Sequence, residues 1–387
     1  MARSPLWGRR IHIAGSVHAD PSVASPEAVV EAEALIATLV PRLVQLGANF
    51  VIPVDAEKHH GDGRPVCLDW QVWDAVASAL AQRPSGAPAP LAVAVQHHKS
   101  EAQVPAAREA LWDSLRLTEH VAIENAAQWD MNIKRMEAAA RRGDILLAIG
   151  GGEGVHYLAN LYHEAGKPIV PLNLPLAPPD QGARKVFNFG LSGNNARRLF
   201  QVREGPEPHH WLNRLNFPVR RSIAERAGDI IELLEALERP RAFVVRLLNP
   251  DLPDYLEVDR FFDSIVQPVV ESELGFKLTV IDGYQQFEHP RIDQEIFSKL
   301  HRSGVVIADI TGVRPNCFIE LGYALGRGHP TLMTARAGTA NPFDTATIPA
   351  HFWNLSGKQE DARDAFRKHW KAAIGRPPLV SPDPLIP

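Results

Sequence analysis

Asp309, Asn316 and Glu320 place two carboxyl groups and an amide within the run VVIADITGVRPNCFIELGYALGRGHPTLM, residues 305–333. The apolar stretch Val305, Val306, Ile307, Ala308 ends on Asp309, and Thr311, Gly312, Pro315 and Asn316 supply the breakers and short polar side chains of a turn. A helical pattern follows, with Glu320 expected in its first turn and Gly322 two residues on, and Thr331–Thr334 reads as the next strand. Strand, loop, helix and strand make one βαβ unit. In open parallel sheets ligands sit beyond the carboxyl ends of the strands, at helix N-termini. All three polar residues are therefore expected at that edge, as an acidic active site.

A second chemical feature lies in the N-terminal half. The apolar strand Asp144–Ile149 runs into Gly150-Gly151-Gly152-Glu153-Gly154, and a helix over Val155–Ala165 is stopped by Gly166. Glycines between strand and helix let backbone amides approach an anion. A similar turn, Gly15-Ser16, follows the short strand Arg10–Ala14. Either glycine turn alone is also what a plain tight turn requires.

The surrounding elements alternate strand and helix. In the first half they are a helix over Glu27–Gln45 ending at Gly47, a strand Phe50–Val54, a strand Leu91–Val95 after the proline-rich loop 84–90, and a strand Pro168–Leu172. In the second half they are a strand Ala242–Leu248, a helix around Phe261–Glu273, a strand Lys277–Ile281 and a helix Asp293–Ser303. This pattern predicts an α/β protein of two Rossmann-like or flavodoxin-like parallel-sheet domains. The expected boundaries are 1–180, a linker over 181–240 carrying a helix at Val219–Leu237, a second domain over 241–345, and a C-terminal helix and tail over 346–387. Prolines at 175, 178, 179, 206 and 208 mark the break. Asp254 and Tyr255 follow the first strand of the second domain and are expected to line its pocket, with Thr311 and Gly322.

Residues 241–340 resemble the nucleoside 2-deoxyribosyltransferase-like and TIR-like domains. The match rests on Ala308-Asp309-Ile310-Thr311, Pro315-Asn316 and Glu320-Leu321-Gly322-Tyr323-Ala324. The resemblance implies cleavage or exchange of an N-glycosidic bond, in nucleosides or in the nicotinamide riboside of NAD. It also implies that Glu320 is the catalytic glutamate, with Asp309 and Asn316 holding ribose hydroxyls or the base. Breaking such a bond builds positive charge on the ribose, which a carboxylate stabilises or attacks. The bland alternative is a helix-start acid favoured by the dipole.

Residues 9–175 resemble the SLOG domains, which include the LOG phosphoribohydrolases and DprA. Arg135 falls at the matching distance before Asp144, and Gly151-Gly152-Glu153-Gly154 matches the glycine core. Gly150 and Val155 replace the flanking Pro and Thr of that pattern, and Tyr157 and Leu158 occupy the glutamate positions. The missing acid argues for binding over hydrolysis, with Gly15, Ser16, Arg135, Gly151, Gly152, Glu153 and Gly154 around a nucleotide. The pair of domains resembles bacterial antiphage effectors, which implies a nucleotide second messenger (cyclic ADP-ribose type or cyclic nucleotide) switching an NADase through homo-oligomers. Two other readings stay open: a nucleoside hydrolase or 2-deoxyribosyltransferase, and a non-catalytic nucleotide-binding scaffold.

Composition excludes little but is consistent. A net charge of −4 gives no reason to expect nucleic-acid binding. No apolar run approaches a membrane span and Met1–Arg10 does not lead into a signal sequence, so a cytoplasmic protein is expected. The two cysteines, Cys67 and Cys317, form no metal-binding pattern. The pairs His59-His60, His97-His98 and His209-His210 are neighbours in sequence, which rarely converge on one metal. No metal and no cofactor are expected, NAD being a substrate. Trp70 and Trp73 are expected to pack a helix.

Overall fold

The computed structural model describes residues 4–97, 100–126, 131–200, 208–217, 221–237, 239–282, 291–342, 345 and 347–379. His98 and Pro206 fall outside the described residues. The chain divides into two compact units, the second beginning at Arg239.

Unit 1 is built on six parallel strands: β1 (Arg10–Ser16), β2 (Asn49–Pro53), β3 (Ala92–Gln96), β4 (Val121–Asn125), β5 (Ile145–Gly150) and β6 (Ile169–Leu172), in the order β4-β3-β2-β1-β5-β6. Every residue of β5 is buried, as both faces of a parallel sheet require of its central strands. Strand order reverses between β1 and β5, and a crevice for ligands is expected at the carboxyl ends of such a switch point. The helix Pro26–Gln45 is started by Ser25, whose hydroxyl accepts from the Ala28 amide, and by Pro26 in the first turn. It buries Val29, Leu35, Ile36, Leu39 and Leu43.

The segment expected as a linker completes this unit. Ile223–Ala236 is capped by a Ser222–Glu225 capping box. It lies against Pro26–Gln45, where Arg42 Nη1 donates to the Ala224 carbonyl at 3.1 Å and Arg226 pairs with Glu31. Its apolar stripe (Ala227, Ile230, Leu233, Leu234) therefore faces the core of unit 1.

Unit 2 has five parallel strands, β7 (Arg241–Val245), β8 (Lys277–Thr279), β9 (Val305–Asp309), β10 (Thr331–Arg336) and β11 (Ala350–Trp353), in the order β11-β10-β9-β7-β8. The reversal falls between β7 and β9. One face packs Phe261, Phe262, Val266, Phe366 and Trp370, with Phe261 stacked on Trp353 at 4.4 Å. The other packs Leu300, Cys317, Leu321 and Ala324. The helix beginning at Tyr255 widens into π-turns over Phe262–Val266 and Pro268–Glu273; Pro268 has no amide to continue the regular ladder.

Candidate functional sites

In unit 2, β9 carries Asp309 to the edge of the sheet, but its side chain turns inward. The carboxylate is fully buried and accepts hydrogen bonds from the Thr311 amide (3.1 Å), Thr334 Oγ1 (2.8 Å) and Trp353 Nε1 (2.8 Å). Burial raises its pKa, against the pull of those donors. Asp309 thus joins β9, the loop after it, β10 and β11, beneath the crevice.

The next helix spans Pro315–Gly326, with Pro315 as its first residue, so Glu320 sits in the second turn and not the first. Asn316 and Glu320, four apart, share one helix face. Asn316 and Gly322 are exposed, whereas Glu320 is half-buried. Burial pushes the Glu320 carboxyl above the usual carboxylate range, with Arg314 opposing.

Asp254 and Thr311 are tied together through Arg336, whereas Tyr255 packs against the core on one face of the sheet. Arg336 at the end of β10 pairs with Asp254 (2.7 Å) and Glu257 (2.8 Å), and its amide donates to Thr311 Oγ1 at 2.9 Å. Sequence reading missed Arg336 and Trp353. A charged residue ending an apolar strand is the only signal that could have found the first; the second depends on a strand pairing.

In unit 1, the β1 and β5 turns meet. The Gly151 amide donates to the Ser16 carbonyl at 2.8 Å, and Gly150 and Gly151 have φ of 63° and 78°. At Gly15 a Cβ would lie 1.8 Å from the Ile149 carbonyl oxygen, so only glycine fits between the two central strands. Gly152 precedes the helix Glu153–Glu164 and supplies no side-chain cap, leaving the first amides of that helix for an anion. Gly154 packs toward Met136. The Glu153 side chain is 94% exposed and makes no part of the crevice wall. Leu158 is buried in the core and the Tyr157 hydroxyl donates to Glu137, so neither position offers an acid to the crevice.

Carboxyl groups reach that edge by another route. Arg135 donates to Asp55, just beyond β2, at 2.5 Å, and His97 Nε2 lies 3.9 Å from the same carboxylate. Burial works to raise the Asp55 pKa, but the Arg135 guanidinium holds it below the usual range. The segment 66–68 pairs with the end of β1: the Val17 amide donates to the Val66 carbonyl at 2.9 Å, and Ser16 and Cys67 form an antiparallel bridge. This brings in Asp69, the first residue of the helix Asp69–Ala79. Trp70 ties that helix to β2, Nε1 donating to the Asp55 carbonyl at 3.0 Å. Burial pushes the Asp69 carboxyl up to about 7; Arg135 opposes the rise and the negative charge of Asp55 adds to it. Neither Asp55 nor Asp69 was singled out from sequence, although Asp55 ends an apolar run just as Asp309 does.

Among the described residues no group of three or more His, Cys, Asp or Glu is placed to hold a metal ion, and no helix is long and apolar enough to cross a membrane. No curated protein matches the chain in sequence. A solved glycosyltransferase from Rickettsia africae aligns over 95% of this chain and 92% of its own at 9% identity, with a TM-score of 0.18, a likeness too slight to carry an argument. The family described as "ATP nucleosidase Cap17-like, N-terminal" matches residues 6–234, which fall within unit 1 and make up more than half of the protein. The chain belongs to that family.

Proposed function

We propose that the protein is a defence-type N-glycosidase that splits a nucleotide between base and ribose. Unit 2 cleaves the nicotinamide–ribose bond of NAD, and unit 1 binds a nucleotide second messenger, of cyclic ADP-ribose or cyclic nucleotide type, that switches activity through homo-oligomers in the cytoplasm. The observation that supports this most is Glu320: a half-buried carboxyl in the second turn of the helix that follows β9, sharing a helix face with Asn316. As the C1′–N bond breaks, its electron pair leaves with the base and positive charge grows on the ribose. A carboxylate beside C1′ stabilises that charge, or bonds to C1′ until water replaces it. In this reading Asp254, Tyr255, Thr311 and Arg336 hold the ribose and phosphates.

The family description names ATP, which makes the adenine–ribose bond the second candidate. Free base released from NAD and from ATP, resolved by chromatography with and without added cyclic nucleotides, separates them. Glu320→Gln is expected to lower nicotinamide release by roughly 10²- to 10³-fold, the scale of one lost charge-stabilising group. Unchanged release would refute the assignment. A second reading places hydrolysis in unit 1, because the nucleosidase family matches that unit.

A further inference from the structure

The crevice of unit 1 lacks an acid where the resembling phosphoribohydrolases carry one, yet the fold returns a carboxyl to the same edge. Asp69 stands on a segment fastened to the end of β1, beside the strand-end pair Asp55–Arg135, and β1 is paired in turn with β5, which leads to the helix Glu153–Glu164. No hydrogen bond from the described residues satisfies its carboxyl. The groups facing it are Asp55, Arg135 and Cys67, with His97 behind Asp55. An unsatisfied, partly enclosed carboxyl beside a carboxylate already paired with a guanidinium suits a group that holds a proton until a ligand takes it.

We propose that Asp69 is the acid of an N-glycosidic site in unit 1, donating its proton to a ring nitrogen of a purine nucleotide whose phosphates lie at the start of the helix Glu153–Glu164. The proposal rests on the second reading above. As the proton reaches the base, the C1′–N bond breaks and its electron pair leaves with the base. The Asp69 carboxylate left behind is stabilised by Arg135. Water then adds to C1′ and its proton returns to Asp69, so the products are free base and the ribose phosphate, with the protein unchanged. Arg135 and Asp55 are positioning residues here, setting the charge beside Asp69.

The test uses the full chain with ATP as the probe and reads adenine by chromatography. Asp69→Asn is expected to lower adenine release by about 100-fold or more, the contribution of a positioned acid, while ATP binding by equilibrium dialysis stays within a few-fold. A folding failure would mimic that loss, so the unsubstituted protein supplies a second readout. Its turnover should fall about tenfold per pH unit once the pH passes about 7. Wild-type turnover in Asp69→Asn, a flat profile between about pH 6 and about pH 9, or no adenine release from the unsubstituted protein would each overturn the proposal. Nicotinamide release from NAD, compared between the unsubstituted protein and Glu320→Gln, decides the unit 2 reading separately, so either can fail while the other stands.

Discussion

Replacing Asp309 tests whether the strand-end acid of unit 2 is a structural pin or a substrate contact. Its carboxylate takes donors from the Thr311 amide, Thr334 and Trp353 inside a fully buried pocket. In Asp309→Ala the Thr334 hydroxyl can rotate toward another acceptor, but the Trp353 N–H and the Thr311 amide cannot. Two stranded buried donors at about 1–3 kcal/mol each, with the packing lost at Cβ, give roughly 3–6 kcal/mol of destabilisation. That is a large share of the roughly 5–15 kcal/mol that holds a domain together. Asp309→Asn keeps one acceptor oxygen and the shape, and should cost about 1–3 kcal/mol. Urea unfolding followed by far-UV circular dichroism measures both. An Asp309→Ala protein within about 1 kcal/mol of the parent, or an Asp309→Asn protein that keeps full stability but loses base release, would refute the pin and restore Asp309 as a ligand-binding residue.

Three further outcomes follow from unit 1. Gly182 has φ 51° and a Cβ there would sit 2.0 Å from the Gly151 carbonyl oxygen, so Gly182→Ala should cost roughly 1–2 kcal/mol from backbone strain alone and weaken ATP binding by displacing the glycine turn. Gly61→Ala, with nothing within 4 Å, is the matched control, and equal affinities would argue against the turn as an anion site. Arg135 lowers the Asp69 pKa, so in Arg135→Gln the alkaline fall of adenine release should move to higher pH; a shift downward would contradict the charge assignment. Burial depresses His12 to about 4 from 6.5, so the folded unit gives up stability as pH falls from 6.5 toward 4. Between about pH 7 and about pH 5 this amounts to about 2 kcal/mol, and His12→Phe, lacking the titration, should narrow its stability gap to the parent by that much in denaturant melts.

The strands at the centre of each sheet were legible because burial on both faces demands unbroken apolar runs, as in β5 and β9. The edge strands were not. β4, VAIEN, has three exposed residues of five, and β11, AHFW, follows a proline and carries a histidine; their pairing with β3 and β10 defines them. The π-turns at 262–273 had a visible cause in Pro268, but their consequence was not readable from periodicity. Within the candidate sites, residues carried by a local strand–turn–helix motif were found in sequence. Those brought by distant pairings, Asp69 through the 66–68 bridge and Arg336 through β10, were not.

The two units share an arrangement that explains why the most conspicuous acids are not the ones proposed to react. In each, an apolar strand ends on an aspartate, Asp55 after β2 and Asp309 in β9, and in each that carboxylate is already engaged, by Arg135 or by Thr334 and Trp353. A carboxyl so engaged is a poor proton carrier and a poor nucleophile, since its lone pairs are occupied and its charge is spread over its donors. In each unit a second carboxyl stands on a helix later in the chain, Asp69 or Glu320, and burial pushes both up. A raised pKa without an engaged partner is what proton transfer or covalent capture at the anomeric carbon requires. On the proposed reading the strand-end acids fix the edge and the helix acids carry the chemistry. If the Asp309 and Asp55 variants fail by melting, while the Glu320 and Asp69 variants fail by turnover at unchanged stability, this division of labour holds in both units. The reverse pattern in either would assign its chemistry to the strand end.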